Sequence, residues 1–509
     1  MTSGPSTRAT LARNTLASWL SYATAVVIAL ALTPLVIHSI GAAGYGVWIL
    51  LTQLTGYAGL LDVGVQPAVA RFVSEARARH DRDDGQSIIS TAILFHGSIG
   101  LCVLALLALL SFFVDRWFDL GGLSRADVRL ALIVVGMATA IGFPASVLTA
   151  VLKGRLRFDL VSVLTTTTQL VRAVGIVVGV WWWRAGILGL ALATLAASVV
   201  ALGGAVWLVR GQPEGLSIQL KAVSREAFRR LASVGGYAFA SHAGWYVAYA
   251  TDAVLIAAIL SARDVASFGL VTNVLSILSG VTGAFAQTFL PLASGYRATG
   301  MSDSLRRSYL VGSRLSLAIA LPLALALLLE GPRLLVSWVG PEVGLPAGTL
   351  LRVLTLAHLP VIANGVAAQM AWGAGLQRSA ALLSIGEGLS NLALSYVLAR
   401  RMGVVGVAAG TLVASWAFQG LIWPIWIGRA FGSSLLRYWG GALGPALLPV
   451  LPALATFGLL SRIVRPSGMI GLALLVTLPA VVYVLVAVPL CVPSDDRALV
   501  WSWLRGRLR

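Results

Sequence analysis

Acidic residues are scarce in this 509-residue chain. Only 19 Asp and Glu stand against 37 Lys and Arg, and charged residues of both signs make up 11% of the sequence. Soluble proteins carry about a quarter. No stretch is polar enough to cover a soluble domain, which excludes a separate catalytic domain. Cysteine is nearly absent: Cys102 and Cys491 both lie in apolar runs, so neither a disulfide framework nor a cysteine metal site is suggested. A Walker lysine motif is missing, which excludes ATP hydrolysis by that route. Paired acids beside a large outer loop, which a membrane glycosyltransferase would need, are also missing. The basic residues sit in short loops and not on a polar domain, which excludes nucleic acid as a partner. What is abundant is apolar surface. Hydrophobic residues are 58% of the chain and mean hydropathy is +0.88. They fall into many runs of about 20, the length that crosses the hydrocarbon layer. The chain reads as an all-α polytopic membrane protein.

Apolar runs between charged or Gly/Pro breaks predict fourteen helices: 15–37, 44–67, 87–113, 129–152, 160–182, 186–209, 234–260, 266–290, 310–329, 350–372, 380–398, 403–428, 440–461 and 469–492. With the N-terminus inside, 25 basic residues fall in inner loops and tails and 11 in outer loops, leaving Arg172 within a span. That bias predicts both termini in the cytoplasm. The first apolar stretch is too long for a signal-peptide core and reads as an uncleaved first helix. The longest outer connection is expected at 330–349 and the longest inner one at 210–233. Near the end, Trp501-Ser502-Trp503-Leu504-Arg505 has the composition of an interfacial anchor.

Self-comparison points to an internal repeat. Tyr45-Gly46 aligns with Phe268-Gly269 at an offset of 223 residues, and nearly the same shift carries Pro67 onto Pro291. Prolyl breaks at Pro144 and Pro360 echo one another less closely. Six helices separate the paired elements, so both copies point the same way. The expected layout is a parallel repeat of two six-helix bundles, 1–230 and 231–432, followed by an accessory helix pair and tail at 433–509. Transporters built this way bind substrate between their halves and alternate between inward- and outward-open states.

Four charges lie well within predicted helices, away from their ends: Asp62, Arg172, Asp252 and Glu387. Each costs several kcal/mol facing lipid, so each should face protein or a wet cavity. Helical spacing places polar neighbours beside them. Thr165, Thr168, Gln169 and Arg172 share one face of helix five, and Ser384, Glu387, Asn391 and Ser395 share one of helix eleven. In helix seven, His242, Trp245, Tyr249 and Asp252 form a polar-aromatic stripe, and helix one carries Asn14, Ser18 and Ser21. Asp62 also sits where it could cap its helix or pair with loop arginines, and Asp252 and Arg172 could form a structural ion pair. Glu387 has no evident partner in sequence and is the leading candidate for proton or cation coupling.

The stretch from helix one through the loop after helix two is the most specific. It contains Thr33-Pro34, Ile40-Gly41, Gly44-Tyr45-Gly46-Val47-Trp48, Gly56-Tyr57, Leu60-Leu61-Asp62-Val63-Gly64 and Ala68-Val69-Ala70-Arg71-Phe72. It resembles the N-terminal signature of the Wzx-type polysaccharide biosynthesis and export flippases, within the multidrug/oligosaccharidyl-lipid/polysaccharide exporter superfamily. The resemblance implies transport of an undecaprenyl-diphosphate-linked oligosaccharide across the bacterial inner membrane. It implies an H+ or Na+ gradient as the energy source, a polysaccharide polymerase and assembly proteins as partners, no enzymatic activity and no cofactor. Under it, Arg172 contacts the phosphate or an acidic sugar, with Gln169, Thr165, Asn391, Trp245, Tyr249 and Asn14 lining the substrate path. Glu387, Asp252 and Asp62 become the ion-coupling candidates. A drug–cation antiporter of the same superfamily and a peptidoglycan-precursor flippase remain alternatives. The first is disfavoured by the lack of an acidic residue in helix one, the second by the helix-two signature.

Overall fold

The computed structural model describes residues 5–62, 65–212, 219–232, 246, 250–463 and 468–492, and every regular element among them is helical. Hydrocarbon offers no hydrogen-bond partner, so a spanning segment must satisfy its backbone internally, and a helix does so. Among the described residues twelve helices are long and apolar enough to cross a membrane. The longer elements are α1 (Pro5–Gly56), α2 (Val65–Ala78), α3 (Arg82–Ser111), α4 (Arg125–Gly154), α5 (Phe158–Ile176), α6 (Gly186–Arg210), α7 (Thr251–Ile259), α8 (Ala262–Gln287) and α9 (Phe289–Ala298). They continue with α10 (Ser302–Val339), α11 (Pro341–Gly373), α12 (Gln377–Met402), α13 (Val404–Ser415), α14 (Trp423–Phe431), α15 (Val450–Ile463) and α16 (Gly468–Cys491).

The chain divides into two compact units, Met1–Tyr246 with Ala253–Ala266, and Val247–Asp252 with Ser267–Arg509. Hydropathy located most spans within a few residues, and the differences are local. The two helices expected at 15–37 and 44–67 form α1, which is interrupted at Gly41 (φ 75°). The helix expected at 234–260 lies largely outside the described residues. The outer loop expected at 330–349 does not form. Instead α10 runs to Val339, α11 starts at Pro341, and the whole turn is Gly340 at φ 87°, a conformation glycine reaches without strain. Charges at Glu330, Arg333 and Glu342 suggested a loop, but they occupy helix ends; Arg333 pairs with Glu330 at 3.0 Å.

The second difference is α2, which hydropathy merged with a loop. Its buried residues Val65, Ala68, Val69, Phe72, Val73 and Ala76 recur at helical spacing, and Arg71, Arg77 and Arg79 stay outside. That apolar face packs on Ile88 and Ile89 of α3 and on Val147, Leu148 and Val151 of α4. Burying a side chain such as Phe72 contributes about 1.5–3 kcal/mol.

A proline inside a helix, or at a break between two, has no N–H to give the carbonyl four residues earlier. In the second unit, four such carbonyls meet a donor from another segment. Arg352 Nε donates to the Leu328 carbonyl (2.9 Å), freed by Pro332, and Trp416 Nε1 to Leu356 (3.1 Å), freed by Pro360. Trp439 Nε1 donates to Gly420 (3.1 Å), freed by Pro424, and Cys491 Sγ to Pro445 (3.4 Å), freed by Pro449. In the first unit the carbonyl of Ala140, freed by Pro144, abuts Gly100, where a Cβ would sit 2.7 Å from the oxygen. An unmet carbonyl in an apolar setting costs about 1–3 kcal/mol. Trp416→Phe, which keeps the ring and removes the N–H, is therefore expected to lower the thermal midpoint of the detergent-purified protein by several degrees. Trp426→Phe, at a position with no such carbonyl bond, should leave it within about a degree.

Candidate functional site

Two polar constellations stand inside the spans, one in each unit. In the first unit, α1, α4, α5, α6 and Tyr246 enclose a cavity of about 410 Å³. Arg172 projects into it from α5. Around it stand Thr52 and Thr55 of α1, Thr139 of α4, and Thr194 and Ser198 of α6, with Trp48 and Tyr246 as aromatic walls. Among the described residues no acidic side chain lines it, and the one formal charge they bring is positive.

The hydroxyls have a common disposition. Thr52 donates to the Ile49 carbonyl (2.8 Å), Thr139 to Val135 (2.9 Å), and Thr194 to Leu190 (2.9 Å); Thr55 donates to Leu51 (3.1 Å). Their protons are spent on the helices that carry them, which leaves the oxygen lone pairs as acceptors. The cavity thus offers a planar fork of guanidinium donors and a set of hydroxyl acceptors. A phosphate oxygen suits the first and a sugar hydroxyl the second.

Sequence placed Thr165 and Gln169 on the face of Arg172. The structure keeps them on α5 but outside the cavity lining; Thr165 is exposed and Gln169 half-buried, its Oε1 accepting no hydrogen bond among the described residues. His242, Trp245 and Tyr249 lie outside the described residues, as do the side chains of Asn14 and Asp62. The cavity threonines and Ser198 were not singled out by sequence, although Thr52 with Thr55 and Thr194 with Ser198 are neighbours one turn apart on their helices. Tyr246 was also missed, one residue from Trp245.

The second unit holds a buried carboxylate site. Asp252 of α7 is 1% exposed. Its oxygens accept from Asn391 Nδ2 of α12 (3.1 and 3.3 Å) and from Thr411 Oγ1 of α13 (2.8 Å). Ser395 Oγ lies 3.2 Å from both Asn391 Oδ1 and the Val407 carbonyl. Asn391, expected in the substrate path, is thereby a partner of Asp252. Both carboxylate oxygens are held by neutral donors, so the ion pair considered with Arg172 is not what satisfies them.

Glu387, without a partner in sequence, gains one in space. Its Oε2 accepts from Gln419 Nε2 (2.6 Å), and Gln419 Oε1 accepts from Asn364 Nδ2 (2.7 Å). Gln419 lies in a π-helical turn, Trp416–Ile422, that continues α13. Such turns rotate a side chain out of α-helical register and recur at functional sites. Among the described residues no group of three or more His, Cys, Asp or Glu could hold a metal ion.

Residues 11–296 match the family model described as "Polysaccharide biosynthesis protein". The chain belongs to this family. Other members and fold neighbours agree with the Wzx-type resemblance read from helices one and two. The chain is 23% identical to the Bacillus subtilis (strain 168) membrane protein EpsK over 81% of its own length and 82% of that protein. It is 22% identical to the "Putative O-antigen transporter" of Shigella flexneri, over 78% and 93%. Among solved structures, the lipid II flippase MurJ in an inward closed conformation superposes with a TM-score of 0.68 at 13% identity, covering 96% of this chain and 99% of that one. The family member described here is a multi-pass membrane transporter, and the MurJ likeness concerns its fold.

The Asp252 site yields a double-mutant test. Asn391→Leu strands a buried carboxyl oxygen and is expected to cost about 1–3 kcal/mol, whereas pairing it with Asp252→Leu should recover part of that loss. Thermal unfolding of both single variants and the double variant reads the coupling, and simple additivity would contradict the assigned contact.

Proposed function

We propose that this protein is a flippase for an oligosaccharide linked through a diphosphate to a polyprenol of the undecaprenyl class. It carries the headgroup from the inner to the outer leaflet by exposing its site alternately to the two sides, and an H+ or Na+ gradient drives the cycle. The observation that carries this reading is the cavity of the first unit, to which the described residues bring one guanidinium, acceptor hydroxyls and no carboxylate. A diphosphate with sugars cannot cross hydrocarbon unaided, and Arg172 supplies its counter-charge as bidentate donors. The family match and the Shigella relative favour a polysaccharide repeat unit as the glycan. A polysaccharide polymerase and assembly proteins are then the natural partners on the far side. The arginine bias of the loops favours the bacterial inner membrane with both termini in the cytoplasm. A peptidoglycan precursor carries the same diphosphate chemistry, and the likeness to MurJ over 96% of the chain keeps it as the second reading. A drug–cation antiporter would need negative charge where the cavity has Arg172.

Coupling is assigned to the second unit. Asp252 with Asn391, Thr411 and the Val407 carbonyl presents oxygen ligands for a small cation or a proton. Glu387, wired to Gln419 and Asn364, is the second acidic candidate.

Losing a charge-assisted hydrogen bond to phosphate removes about 1.5–3 kcal/mol, about ten- to hundredfold in affinity. Arg172→Ala is therefore expected to abolish surface glycan while leaving the protein in the membrane at normal level. Near-normal surface glycan would exclude the cavity cation. Glu387→Gln keeps size and hydrogen bonding but removes the titrating group. In vesicles it should weaken gradient-driven transport and spare substrate binding; unchanged gradient dependence would remove Glu387 from the coupling path.

A further inference from the structure

A second cavity, of about 220 Å³, lies in the first unit away from Arg172. It forms where the turn between α2 and α3 meets the end of α4. Its polar lining is Arg77, His80, Asp81, Arg82 and Arg155. Among the described residues, three arginines and one aspartate thus line it. That carboxylate also caps α3, accepting the Asp84 N–H at 2.9 Å. Arg155 is only 5% exposed although it follows the last residue of a helix, and Arg77 Nη1 donates to its carbonyl at 3.3 Å.

The two chain segments that build the cavity end alike. After α2, the Asp81 N–H bonds back to the Ala76 carbonyl and His80 sits at φ 57°. After α4, the Arg157 N–H bonds back to the Leu152 carbonyl and Leu156 sits at φ 59°. Both are left-handed helix terminations of the kind glycine usually makes, here built with His and Leu at a local cost. They bring Arg77, Arg82 and Arg155 to the lining of one cavity. Converging guanidiniums repel one another, and a dianion between them removes the repulsion while accepting forked hydrogen bonds. The volume holds a phosphate-sized group and some water.

We propose that this cavity is a binding site for a phosphate or diphosphate dianion, separate from the Arg172 cavity. Its occupant is either a lipid phosphate headgroup or a soluble phosphate compound, and it pins the α2–α3 turn to the end of α4.

The probe is inorganic pyrophosphate, titrated onto full-length protein in neutral detergent at ionic strength fixed with chloride. Thermal midpoints are read in an Arg172→Gln background, so that the other cavity does not contribute. The expected result is a saturable rise of about 2–4 °C, lost when Arg155→Gln is added. Because Arg155 is buried and its variant could misfold, Arg77→Gln and Arg82→Gln, both at exposed side chains, are run in parallel and should each weaken the apparent affinity at least fivefold. No rise in the Arg172→Gln background, or the same titration curve with Arg77→Gln or Arg82→Gln added, overturns the site. Repeating the titration in neutral nanodiscs with and without cardiolipin names the source. Loss of the pyrophosphate response with cardiolipin identifies a lipid headgroup, and its persistence identifies a soluble phosphate compound.

Discussion

The fold depends on one constraint: inside hydrocarbon, every backbone N–H and C=O must find a partner within the protein. It makes all the regular elements helical, and it explains what happens where proline interrupts them. The carbonyls released by Pro332, Pro360, Pro424 and Pro449 are each met by Arg352, Trp416, Trp439 and Cys491 respectively. Three of these donors are large side chains that reach from one helical segment to another, so each repair is also a contact between segments. The prolines loosen the helices locally without exposing polar backbone, and the cross-helix donors tie the second unit together at the same points.

The same constraint makes polar side chains in the spans informative. A charge at membrane depth costs several kcal/mol facing lipid, and Arg172, Asp252 and Glu387 are each accommodated in a distinct way. Arg172 opens onto a cavity whose hydroxyls have turned their protons to their own helices. Asp252 is sealed by Asn391 and Thr411, and Glu387 is linked through Gln419 to Asn364. The cation faces open space and the carboxylates are closed off in the other unit. That division matches a transporter whose cargo is anionic and whose driving ion is a cation.

Much of this was legible in the sequence. Apolar run length located the spans, because hydropathy reports directly on the solvent each segment meets. It failed where charge and helix coexist: Glu330, Arg333 and Glu342 suggested a loop, whereas Gly340 alone makes the turn. It also passed over α2, whose apolar face is periodic but whose mean hydropathy is low. Helical spacing found Arg172, Asp252, Asn391 and Glu387. Their partners were hidden because they lie far along the chain: Thr411 is 159 residues from Asp252 and Gln419 is 32 from Glu387. A threonine in an apolar run is ordinary until a neighbouring helix gives it a carboxylate to serve. Thr165 and Gln169 show the converse, since sharing a helical face with Arg172 did not bring them to its cavity.

The central claim is that the Arg172 cavity holds the diphosphate headgroup while the carboxylates of the second unit serve the driving ion. Native mass spectrometry of purified protein with a polyprenyl-diphosphate oligosaccharide tests it most directly. The account predicts that Arg172→Gln loses the bound lipid while Glu387→Gln retains it. Retention by Arg172→Gln together with loss by Glu387→Gln would contradict it.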